Sequence, residues 1–87
     1  MKILFHPSFG KPYGKLRESE RSRVEDRILL FSQDPFHPLL RNHALTGKYR
    51  GYRSVSVGGD LRVIFKMVSR DTTLVITIGT HTQLYDH

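Results

Sequence analysis

From Tyr52 onward the chain reads as three apolar strands separated by two tight turns, and few folds accept that order. Tyr52–Val57 runs into Gly58-Gly59-Asp60, a turn signature, and Leu61–Val68 runs into Ser69-Arg70-Asp71-Thr72. Thr73–Gly79 is the last strand. Connections this short join antiparallel neighbours. Alternation then assigns the faces. Leu61, Val63 and Phe65 share one side of the middle strand, and Arg62, Ile64 and Lys66 share the other. In the last strand Leu74, Ile76 and Ile78 oppose Val75, Thr77 and Gly79. The first set of each is apolar throughout and is expected to carry the core. The second is mixed and is expected to face outward.

The N-terminal half supplies the other layer. Ile3–His6 reads as a short strand stopped by Pro7. Ser8 is a candidate cap for a helix reaching about Arg17, weakened by Gly10, Pro12 and Gly14. Pro12 falls in the first turn, where its missing N–H removes no helical bond. A second helix follows, capped at Ser19 or at Ser22, where Ser22-x-x-Glu25 has the capping-box form. Val24, Ile28 and Phe31 make its apolar stripe, with Arg21, Glu25, Arg23 and Asp26 on the wet faces. Asp34-Pro35 ends it. Phe36–His43 is expected to be an irregular connector, because it contains Pro38. The order is β-α-α-β-β-β, and the fold class is α+β: a small antiparallel sheet with a helical hairpin packed on one face. Its 87 residues allow a single domain, 1–87, with a thin core and two layers.

The exposed face is cationic. Lys and Arg number 14 against 8 Asp and Glu, a formal charge of +6 and a pI near 10.1. That balance points to a polyanionic partner. From Arg41 to Gly59 there is no acidic residue, yet the stretch holds Arg41, Lys48, Arg50 and Arg53, with His43. Tyr49 and Tyr52 are interleaved with them, and aromatic rings between cations can stack on bases. We read Lys48, Arg50, Arg53 and Lys66 as docking residues for nucleic acid; the alternatives are an acidic protein as partner or a solvated edge. With no cysteine the chain has no disulfide, no thiolate nucleophile and no Cys-based zinc site, which fits a reducing, cytoplasmic setting. Neither a signal peptide nor a membrane span is legible in it.

The C-terminal stretch carries the chemistry. Gly79-Thr80-His81-Thr82-Gln83-Leu84-Tyr85 follows the last strand, and Gly79 is expected to let the backbone leave the sheet. One helical turn there sets His81 and Tyr85 on the same side. Imidazole is the side chain best suited to proton transfer near neutral pH. Strand parity carried past Gly79 places His81 on the open face with Arg62.

Four fragments recur in order: His43-Ala44-Leu45-Thr46-Gly47, Gly51-Tyr52-Arg53, Gly59-Asp60-Leu61-Arg62-Val63-Ile64-Phe65-Lys66, and Gly79-Thr80-His81-x-x-Leu84-Tyr85. With Phe5-His6-Pro7-Ser8-Phe9 they resemble the RelE/ParE superfamily of toxins from type II toxin–antitoxin systems, and its YafQ-like branch in particular. The resemblance implies an mRNA endoribonuclease working in the ribosomal decoding site. No metal or other cofactor is implied. Attack of a ribose 2′-OH would leave a 2′,3′-cyclic phosphate and a 5′-OH. The resemblance makes His81 the general acid, Arg62 the phosphate ligand, His43 a base or phosphate ligand, Asp60 a base or orienter, and Tyr85 a substrate contact. It also implies a cognate antitoxin as partner, besides ribosome and mRNA. The chain departs from the branch in carrying Ser56 where a second His is expected, Leu61 for a Trp and Thr77 for a basic residue. Arg62 is more RelE-like. A non-enzymatic ParE-type toxin acting on gyrase, and an inactive RNA-binding module of the same fold, are the alternatives. His6, His37 and His87 are read as structural or surface groups.

Overall fold

The computed structural model describes residues 1–85; His87 and its reading lie outside them. The elements are β1 (Lys2–Phe5), α1 (Pro7–Gly14), α2 (Glu18–Gln33), a 3₁₀ turn (Pro38–Leu40), β2 (His43–Ala44), a second 3₁₀ turn (Gly47–Tyr49), β3 (Arg53–Ser56), β4 (Leu61–Ser69), β5 (Thr72–Thr80) and α3 (His81–Tyr85). They form a five-stranded sheet in the order β1-β5-β4-β3-β2. β2 to β5 pair antiparallel through their short connections. β1 joins β5 in parallel at one edge, and α1 and α2 carry the chain from there to β2 at the opposite edge. α1 and α2 cover one face, burying Phe9, Val24 and Phe31 against Val55, Val63, Phe65, Val75 and Ile78. The Val24, Ile28, Phe31 stripe is thus the buried side of α2.

The helix starts differ from expectation. His6, not Ser8, caps α1: its Nδ1 accepts from the Ser8 N–H at 3.0 Å, and Pro7 takes the first helical position. The same device recurs at His37-Pro38, where Nδ1 accepts from the Leu39 N–H at 3.1 Å and opens a 3₁₀ turn inside the expected connector. α2 begins at Glu18, ahead of both serines, because Glu20 reaches back to the Arg17 N–H at 2.9 Å. That N–H, and then the guanidinium, hold the Glu20 carboxyl below its ordinary value. The cap therefore contributes above the unfolded-state value and is lost as pH falls through the lower folded one.

The largest departure is in β5. Ile64 pairs with Thr77 but Phe65 pairs with Val75, so Ile76 is an extra residue, a β-bulge. The bulge resets parity. Val75 and Ile78 both reach the core, at 4% and 2% exposure, although they are three residues apart. Leu74, expected in the core, instead pairs with Lys66 on the open face. After the bulge the expected parity holds, and Gly79 lies beside Arg62.

The β3–β4 turn depends on Gly58. Its φ is +97, and an added Cβ would stand 2.5 Å from Arg23 Nε, which donates to the Val57 carbonyl at 2.9 Å. Gly58→Ala is expected to cost on the order of 1–3 kcal/mol, since it combines backbone strain with loss of the α2 buttress. Thermal unfolding measures it; an unchanged melting temperature would mean the turn relaxes freely.

Candidate active site

Four elements and the segment after β2 bring side chains to one cleft on the open face. Its volume is about 200 Å³ and its lining includes His43, Thr46, Ser54, Arg62, His81 and Tyr85. His43 comes from β2, a strand of two residues absent from the expected order. Its Nδ1 lies 2.8 Å from the Arg41 carbonyl. A carbonyl only accepts, so Nδ1 is the nitrogen that donates here, which leaves Nε2 as the one facing outward for proton exchange. Arg62, from β4, is held by its Nη1 on the Leu61 carbonyl at 3.0 Å and the Gly59 carbonyl at 3.2 Å. Those bonds aim a guanidinium without neutralising it.

His81 and Tyr85 open and close α3. Their rings stand 4.8 Å apart at 59°, the same-side arrangement that one helical turn dictates. Thr80 and Gln83 start the turn reciprocally: the Thr80 N–H donates to Gln83 Oε1 at 2.8 Å, and the Gln83 N–H to Thr80 Oγ1 at 3.2 Å. This Thr-x-x-Gln box was legible as a helix start and is the signal the motif reading passed over. Gly79 serves by size rather than by a special turn. It remains in β5, and a Cβ there would press on Gln83 and Leu84 at 3.1–3.3 Å. Leu84, 5% exposed, anchors α3.

The other sequence candidates are placed apart. Asp60 is exposed in the β3–β4 turn and is not part of the cleft lining. Ser56, at the position of the expected second His, shares the open face with Arg62 and sits 3.4 Å from the Gly58 N–H. Lys48 and Arg50 are exposed beside the second 3₁₀ turn, and Lys66 lies 5.7 Å from the Tyr52 ring. Arg53 pairs with Phe65 and so lies on the helix-bearing face. There it donates to Asn42 Oδ1 at 2.8 Å and packs over Phe36.

Two features were not visible in the sequence. Tyr49 meets Tyr85 edge-on at 5.7 Å, so a ring from outside the cleft backs Tyr85 in its wall. Ser54 pairs with both His43 and Ile64, is fully buried, and its hydroxyl has no hydrogen-bond partner among the described residues; nor has the Tyr85 hydroxyl. A buried polar group without a partner is rare enough to need a reason.

Among the described residues no three His, Asp or Glu stand close enough to hold a metal, and no helix is long and apolar enough to cross a membrane.

The fold is that of the RelE-like toxins. YafQ from Escherichia coli superposes with a TM-score of 0.80 at 19% identity, over 97% of each chain. The E. coli DinJ–YafQ toxin–antitoxin complex gives 0.78 at 20% identity, covering 97% of this chain and 96% of that one. A YoeB/ParE toxin from Agrobacterium tumefaciens gives 0.75 at 22%, covering 93% and 99%. No curated protein matches the sequence. The family model for YafQ, bacterial toxin of type II toxin–antitoxin systems, matches residues 1–86, and the chain belongs to that family.

Proposed function

We propose that this toxin is a metal-independent endoribonuclease that cuts mRNA in the ribosomal decoding site. The observation that carries the reading is the convergence of His43, Arg62 and His81, from three separate elements, on one cleft. In-line cleavage needs a proton acceptor, a proton donor and a cation for the phosphorane. His43 Nε2 takes the 2′-OH proton as the 2′-oxygen bonds to phosphorus. His81 gives its proton to the 5′-oxygen as the P–O5′ bond breaks. Arg62 holds the charge that builds on the non-bridging oxygens. The products are a 2′,3′-cyclic phosphate and a 5′-OH. Tyr85 backs His81 and contacts the substrate. The exposed turn position of Asp60 favours His43 as base. Lys48, Arg50 and Lys66 serve as docking cations; Arg53, engaged on the helix-bearing face, is left out of that set.

Mapping mRNA 5′ ends after induction tests the reading. Cuts inside translated codons are expected. Arrest without such cuts, accompanied by DNA damage, would instead favour a gyrase-directed toxin. The partner we propose is a co-encoded antitoxin that lays apolar residues on the helical hairpin and carboxylates near Arg62 and His81.

The orphan Ser54 hydroxyl fits this site. A Ser side chain reorients by rotation about χ1, so the hydroxyl can serve a substrate oxygen that is its missing partner. Ser54→Ala is then expected to raise stability by about 1 kcal/mol, since the unsatisfied group is removed, while lowering kcat. Denaturant titration beside single-turnover cleavage checks both signs. Lower stability with unchanged cleavage would give Ser54 a purely structural role.

A further inference from the structure

A second concavity lies across α3 from the cleft. His81 and Tyr85 line the cleft, whereas Gln83 and Leu84 line this groove. At about 520 Å³ it is the larger of the two. α1 supplies Lys11, and Lys15 follows at its C-cap, both exposed and one helical turn apart. The buried Ile78 and Leu84 and the half-buried Leu16 give it an apolar floor. Tyr49 completes the wall, with Lys48 Nζ 5.2 Å from its ring centroid. None of the lining residues is acidic.

Cations along a groove, an aromatic ring and an apolar floor are the parts of a sequence-tolerant single-strand site. The two concavities are also continuous in position, because the Tyr49 ring in one abuts the Tyr85 ring in the other. The roles assigned in the cleft give the strand a direction, and the inference rests on that reading. His43 stands at the 2′-OH of the upstream nucleotide and His81 at the 5′-oxygen of the downstream one. The strand therefore crosses from β2 towards α3, and its 3′ continuation leaves on the groove side.

We propose that this groove binds the nucleotides 3′ of the scissile bond, with phosphates at Lys11 and Lys15 and a base against Tyr49 and the apolar floor. Free toxin, isotopically labelled, is titrated with a non-cleavable 2′-O-methyl RNA nonanucleotide and followed by amide shifts. Shifts at Lys11, Lys15 and Thr77–Gly79 are expected. Lys11→Gln with Lys15→Gln should reduce the slope of log affinity against log salt by about 1.4, two contacts at about 0.7 each for single strands. No shifts there, or an unchanged slope, overturn the proposal. So does a groove that responds to an acidic decapeptide of alternating Glu and Val but not to the RNA. The second arm uses ribosomes carrying mRNAs truncated one, two or three nucleotides after the cut. Cleavage should quicken with each 3′ nucleotide, and the double variant should lose that gain. Equal rates for all three overturn the subsite. Absence of cleavage from every one, with groove shifts intact, overturns the reading of the cleft and leaves the groove as an RNA site.

Discussion

Replacing His81 by Ala is expected to lower cleavage of ribosome-bound mRNA by about 10²–10⁴-fold, the usual worth of a positioned acid or base. The fold should survive it. His81 is exposed, and α3 keeps its anchor at Leu84 and its Thr80–Gln83 start. The discriminating measurement is single-turnover cleavage at saturating toxin, which removes any docking defect from the rate. His81→Gln adds a control, since it keeps a polar side chain beside Tyr85 but cannot deliver a proton. Both variants should fail alike. Near-native cutting by either would remove His81 as the acid.

Arg62→Ala should cost on the order of 10²-fold or more in kcat, because its charge meets the phosphorane only at the transition state. The backbone bonds to Gly59 and Leu61 fix the guanidinium in advance, so little ordering remains to be done during reaction. Arg62→Lys should recover part of the rate. A lysine keeps the charge but lacks the planar fork that grips two phosphate oxygens at once. Weakened binding with unchanged single-turnover chemistry would make Arg62 a docking residue only.

The sequence was most legible where local rules act alone. The Gly58-Gly59-Asp60 turn, the Val24, Ile28, Phe31 stripe and the facing of His81 with Tyr85 each follow from spacing within one element, and each stands in the structure. What escaped it depends on partners far along the chain. The bulge at Ile76 is set by register against β4, and the run Val75-Ile76-Thr77-Ile78, β-branched throughout, carries no mark of which residue is extra. β2 exists only because β3 is there to pair with His43-Ala44. Arg53 sits in a basic, aromatic-rich stretch, which composition alone could not divide between the two faces of the sheet. Nothing local distinguishes Ser54 from its neighbours; its burial beside His43 depends on pairing with β2 and β4.

α3 has a consequence for how the protein loses activity. A helix of five residues cannot sustain itself, since nucleation costs more than so few bonds return. It persists through a buried leucine, the Tyr85 ring against Tyr49, contact with a bare glycine and a pair of capping bonds. Its opening free energy is therefore a fraction of that of the sheet. For the proposed cleavage, turnover is the intrinsic rate multiplied by the closed fraction. Mild warming or low denaturant will drain that fraction while far-UV dichroism still reports an intact domain.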